Sequence, residues 1–211
     1  MTPDRPWSNL FLLTLLASLL LTGGCSTSTP SNFYLLTPVN GETVEKKEKP
    51  LCPDITLVLG PVTVPDHLDR HQIVVRPTPN VLELSDYNRW AGSLARELPL
   101  VLRENLSLLL STGRITLYPL RSTLDADFQV SVDIVQLDGR LGETIRLVAR
   151  WRLVDLKTDR TMALERTEAN IPLESKDYQA YVAGQSRLLE ILCYDVAVGV
   201  KEICPRGGML E

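Results

Sequence analysis

An α/β fold of the α+β kind is predicted for this 211-residue chain, as one two-layer domain with two long helices packed on a single mixed, largely antiparallel sheet. Three observations predict it. Between Phe128 and Ala169, segments alternate apolar and polar residues with the period of two that a half-wet strand requires. Tyr87–Ser111 and Ser175–Ile203 instead repeat apolar residues every three or four positions, the spacing of an amphipathic helix. Short β-branched runs punctuated by Gly and Pro, such as Ile55–Leu59 before Gly60-Pro61, supply further strands.

The chain opens on one positive charge at Arg5, an apolar run from Leu10 to Leu21, the small residues Thr22, Gly23 and Gly24, and then Cys25. That order is the order of a secretory signal. The run is short for ~30 Å of hydrocarbon and lacks a charged stop. A cysteine directly after the small residues makes the segment resemble a bacterial lipoprotein signal, although Thr22 stands where that pattern usually has Leu, Val or Ile. The resemblance implies cleavage after residue 24 and acylation of Cys25. Several acyl chains hold a protein stably because each buried methylene contributes about 0.8 kcal/mol. Ser26, in place of the Asp that retains such proteins at the inner membrane, implies sorting to the periplasmic side of the outer membrane.

Residues 25–32 read as a Ser/Thr/Pro tether and residues 33–206 as the folded domain. Phe33–Leu36 is a strand candidate. Thr37–Pro50, with Gly41 and a run of Glu and Lys, is a solvated loop. Ile55–Leu59, Val62–Val64, Gln72–Arg76 and Val81–Leu84 follow as strands. Ser85 or Asp86 is a candidate cap for the first helix. Its apolar face carries Tyr87, Trp90, Leu94, Leu98, Val101, Leu102, Asn105 and Leu109; Pro99 predicts a kink or a restart, and Gly113 a stop. The meander comes next, with connections at 137–142 and 157–160. The last helix buries Tyr178, Tyr181, Val182, Gln185, Leu188, Leu189, Leu192, Val196 and Ile203.

Composition and motifs exclude several functions. A net charge of −4 offers no basic stripe for nucleic acid. The only histidines, His67 and His71, lie in a turn without the glutamate order of a zinc helix, so no metal is expected. Gly184-Gln185-Ser186-Arg187 lacks the last glycine of a nucleophile elbow and lies mid-helix. No phosphate loop is present. The reading is therefore a non-enzyme with no catalytic residues and no cofactor. Of the remaining cysteines, Cys193 and Cys204 are about 16 Å apart along one helix, beyond disulfide reach. Cys52–Cys204 is the candidate disulfide, leaving Cys193 as a buried thiol.

Six phrases, in order, are Tyr34-Leu35-Leu36, Val58–Pro65, Leu68–Arg76, Tyr87–Ala91, Leu102–Leu106 and Ala149–Leu153. Together they resemble the ABC-type transport auxiliary lipoprotein family, the PqiC-like lipoproteins of the paraquat-inducible system. His71 departs from the Pro usual there. The resemblance implies a periplasm-facing lipoprotein working with inner-membrane transporter components and an MCE-domain protein. The implied task is moving lipid between membranes to support outer-membrane integrity. Asp69, Arg70, Arg76, Tyr87 and Trp90 mark the candidate partner interface, and a homo-oligomer is compatible with the sequence. The alternatives are a lipid-binding carrier, an assembly lipoprotein for another client, and an envelope hydrolase relying on Ser186 or His71.

Overall fold

The structure, a computed structural model, describes residues 30–39, 55–119 and 126–203. Among these residues the elements are β1 (Asn32–Tyr34), β2 (Leu57–Thr63), β3 (Gln72–Thr78), β4 (Val81–Trp90), α1 (Leu94–Leu110), β5 (Ile115–Leu117), β6 (Phe128–Gly139), β7 (Thr144–Asp155), β8 (Arg160–Pro172) and α2 (Tyr178–Ile203). The class is the mixed α/β one expected, but the strands form two sheets rather than one. A five-stranded sheet has the order β5-β2-β6-β7-β8, and a three-stranded sheet the order β1-β4-β3. β2 runs parallel to both β5 and β6, and β1 parallel to β4; the remaining pairs are antiparallel.

The second sheet arises where helical spacing misleads. Tyr87, Trp90, Leu94 and Leu98 are spaced as on a helix, yet Asn88, Arg89 and Trp90 pair with Asn32, Phe33 and Tyr34 in β1. Backbone pairing with β1 and β3 holds these residues extended up to Trp90. The chain then breaks at Gly92-Ser93, and α1 begins at Leu94. Pro99 lies inside α1, which is one continuous element despite the missing amide donor. The helix ends through Ser111 in the left-handed conformation (φ 52°, ψ 41°), with the Thr112 amide donating to the Ser107 carbonyl. The stop is therefore Ser111, two residues before the expected Gly113.

β7 shows how the sheet is sided. Ile145, Leu147, Ala149, Trp151 and Leu153 are buried beneath the helices, while Arg146, Arg150 and Arg152 face solvent. α1 contributes Leu94, Leu98, Leu102 and Leu106 to the core, and α2 contributes Tyr181, Leu188, Leu192 and Val200. Fully burying a side chain of this size contributes about 1.5–3 kcal/mol. The helix approaches closely at Gly199, where an added Cβ would sit 2.7 Å from the Trp151 ring. The Trp151 indole N–H donates to Thr167 Oγ1 at 3.2 Å, and the Thr167 hydroxyl donates to Asp195 at 2.7 Å, which stitches β7, β8 and α2 together.

Gly60, at φ +123°, occupies a bulge where the β2–β6 register shifts between Leu59 and Val62. A Cβ there would meet the Tyr118 Cβ at 2.9 Å. Among the described residues no helix is long and apolar enough to cross a membrane.

Candidate functional site

The segment after β1 crosses the helical layer as a strap. Its amides have no strand partner along Leu36–Val39 and are satisfied by helix side chains instead. Leu36 N–H donates to Glu97 Oε1 at 2.9 Å, Thr37 N–H to Ser186 Oγ at 3.1 Å, and Val39 N–H to Asn105 Oδ1 at 2.9 Å. The solvated loop expected from Thr37 therefore begins with bonded residues. Asn105 is fully buried. It stands on the apolar face of α1, where a polar side chain demands a partner; that demand was the signal for the strap in the sequence. The second oxygen of Glu97 is buried without a hydrogen-bond partner, and burial raises the carboxyl above its ordinary value, against the opposing pull of the Leu36 amide. The Ser186 hydroxyl donates to the Val182 carbonyl at 3.0 Å while accepting from Thr37. It thus holds the strap rather than facing a general base.

Strap and β1 present alternate residues to opposite sides. Leu36 is buried and Tyr34 half-buried, whereas Phe33 and Leu35 are 66% and 58% exposed. Beside Leu35 lies an open groove of about 420 Å³, floored by Ala91, Gly92 and Leu100 and flanked by Arg96.

The five residues of the expected interface scatter in role. Asp69 Oδ1 accepts from Ser93 Oγ at 3.0 Å and from the Ala95 amide at 3.3 Å, so it caps α1 from a distant loop. Arg70 and Tyr87 are exposed. Arg76 is half-buried and committed to Asp138. Trp90 is 3% exposed, part of the core beneath β4, and its indole is closed to a partner. Cys25, Ser26, Cys52 and Cys204 lie outside the described residues. Cys193 is a free, fully enclosed thiol whose burial pushes its pKa up.

A polar junction joins the two sheets. Asp138 on β6 is completely buried and takes a bidentate pair from Arg76 on β3, Nε to Oδ1 at 2.8 Å and Nη2 to Oδ2 at 2.7 Å. Gln136 adds a third bond at 2.8 Å, and His67 Nε2 stands 3.7 Å from Oδ2. The pairing with Asp138 raises the Arg76 guanidinium above its ordinary value. The adjoining open cleft, of about 590 Å³, is lined by Arg76, Gln136, Asp138, Arg140, Glu143 and Arg146 among others. Such a polar lining suits an acyl chain poorly. His71 is exposed on its turn, and among the described residues no cluster of three His, Cys, Asp or Glu side chains could hold a metal.

Comparison with known proteins decides the family. The sequence model of the ABC-type transport auxiliary lipoprotein component matches residues 34–197. The chain belongs to that family. Solved structures agree on the fold. A crystal structure of an uncharacterised protein shares 16% identity and a TM-score of 0.66, covering 82% of this chain and 99% of the other. Protein XCC0632 from Xanthomonas campestris, assigned to DUF330, is 16% identical at a TM-score of 0.65, covering 82% of this chain and 97% of its own. The PelC dodecamer from Paraburkholderia phytofirmans is 9% identical with a TM-score of 0.43, covering 70% and 88%. At that distance its assembly does not transfer. No curated protein matches the chain. The family match runs from the last residue of β1 through most of α2, so strap, sheet junction and nearly all of the helix pair lie within the auxiliary lipoprotein domain.

Proposed function

We propose that this chain is a non-catalytic docking lipoprotein of an ABC/MCE-type intermembrane lipid transport system, acylated at Cys25 and held on the periplasmic side of the outer membrane. Leader 1–24, tether 25–32 and domain 33–206 divide the work: delivery, attachment and contact. Partners are an MCE-domain protein and inner-membrane transporter components, and self-association of the domain is compatible with the role. The observation that carries the reading is the family match through residues 34–197, which starts at the end of β1, directly before the strap. Three hydrogen bonds there fasten the chain to both helices, so a leash fixed at Cys25 is joined to the domain at a defined place. Arg70 and Tyr87, both exposed, are the first residues to test for partner contact. Ser26 directs the sorting, and Cys52 with Cys204 form the disulfide.

The test is photo-crosslinking in intact cells from positions 70 and 87, combined with palmitate labelling. The expected outcome is capture of an MCE-domain or transporter component, with labelling abolished by Cys25→Ser. Capture of lipopolysaccharide or pilus assembly proteins would replace this reading with the other-client alternative. Absence of label would remove the anchor.

A further inference from the structure

We propose that Phe33, Leu35 and Leu100 form a membrane-seating patch, by which the domain rests against the phospholipid surface that anchors it. This rests on the acylation of Cys25 proposed above. The chain itself supplies the first argument. From Cys25 to Phe33 a fully extended tether spans roughly 26–29 Å, at about 3.3–3.6 Å per residue, so the first residues of the folded domain are confined near the headgroups. A short leash keeps the local concentration of lipid around that end high, and a weak contact there is populated at little entropic cost.

The second argument is the character of the surface at that end. In an extended segment, alternate residues point to opposite sides. Tyr34 and Leu36 turn inward, which leaves Phe33 and Leu35 side by side and outward, 66% and 58% exposed. Leu100, on the outer face of α1, is 46% exposed and lines the groove that Leu35 borders. Large apolar side chains gathered this way mark an interaction surface. An aromatic ring beside leucines suits the boundary between headgroup and acyl chain. Two exposed arginines flank them: Arg96 at the groove, and Arg89, paired in register with Phe33. Their guanidinium groups complement the phosphates of a bilayer. The occupant that fits leash length, apolar centre and cationic flank together is the lipid surface itself.

The experiment uses acylated protein purified from membranes and reconstituted in vesicles of phosphatidylethanolamine and phosphatidylglycerol, with and without brominated acyl chains. The processed chain keeps Trp90 and Trp151, which are 3% and 4% exposed and shielded from the quencher; Trp7 leaves with the leader. Phe33→Trp places a third indole in the patch. Brominated lipid is expected to reduce the added emission at least twofold, and Leu35→Asp with Leu100→Asp in the same background is expected to restore it. Unquenched emission from protein that still floats with the vesicles overturns the seat and leaves the anchor standing. Protein that fails to float overturns both. Shielding of the added indole that grows with protein density and ignores bromine assigns the patch to a second copy, and also overturns the proposal. Thermal unfolding of each variant checks that the fold is kept, and the Phe33→Trp measurement stands without the aspartate variants.

Discussion

At Tyr181 a single hydroxyl serves both sheets. It donates to the Val74 carbonyl at 2.9 Å and accepts from the Gly139 amide at 2.9 Å, and its ring is fully buried. Burial pushes the phenol well above its ordinary pKa, so it stays a donor at every physiological pH. Tyr181→Phe keeps the ring and strands both backbone groups. The expected loss is about 1–3 kcal/mol, read as a lower denaturation midpoint at unchanged slope. Two carboxyls shape the pH response in opposite directions. Asp127 is held below its ordinary value by the Lys157 ammonium and the Thr56 amide. Its folded pKa is depressed, so its contribution is present above about pH 4 and is lost as pH falls through the folded value. Glu97 is raised by burial: the folded state holds its proton longer, and stability falls as pH rises through the raised value. Asp127→Asn should therefore flatten the acid limb of the melting profile. Glu97→Gln, which keeps an acceptor for Leu36, should raise the melting temperature at pH 7 and leave it unchanged near pH 3.

Among the elements, α1 begins with a cap that local sequence reading cannot find. Ser93 is extended at the N-cap but makes no side-chain cap bond; Asp69, 24 residues earlier, bonds to it and to the Ala95 amide. Asp69→Ala should cost about 1 kcal/mol, in the range of a lost N-cap, whereas Asp69→Asn should cost less. Chemical denaturation separates the two. The period-two signal of β7 was legible because one face is buried and the other wet, and its arginines alternate accordingly. α2 was legible within three residues of its start, with the Asp177 carboxylate accepting from the Ala180 amide at 2.7 Å. β4 was not legible. Its faces do not alternate cleanly, because the β3–β4 register shifts twice, between Gln72 and Val74 and between Val75 and Thr78. The strap escaped for a similar reason: its partners are side chains on helices 61 to 149 residues away, and only Asn105 on an apolar face hinted at them.

Across the whole molecule, the two sheets meet through Arg76 and Asp138 as well as through Tyr181. Asp138 has no contact with water, so removing Arg76 leaves a buried carboxylate without its counter-ion, while removing both partners does not. Arg76→Met is expected to cost about 3 kcal/mol or more, and Arg76→Met with Asp138→Leu distinctly less than the sum of the single changes. A double-mutant cycle by urea unfolding measures the difference. The strap has a mechanical corollary. A pull on the N-terminal side of Asn32 would first load the short β1 ladder and then the clamps at Glu97, Ser186 and Asn105. Force would thus enter the helix pair through three fasteners in series, and their rupture would lengthen the leash before the five-stranded sheet is strained.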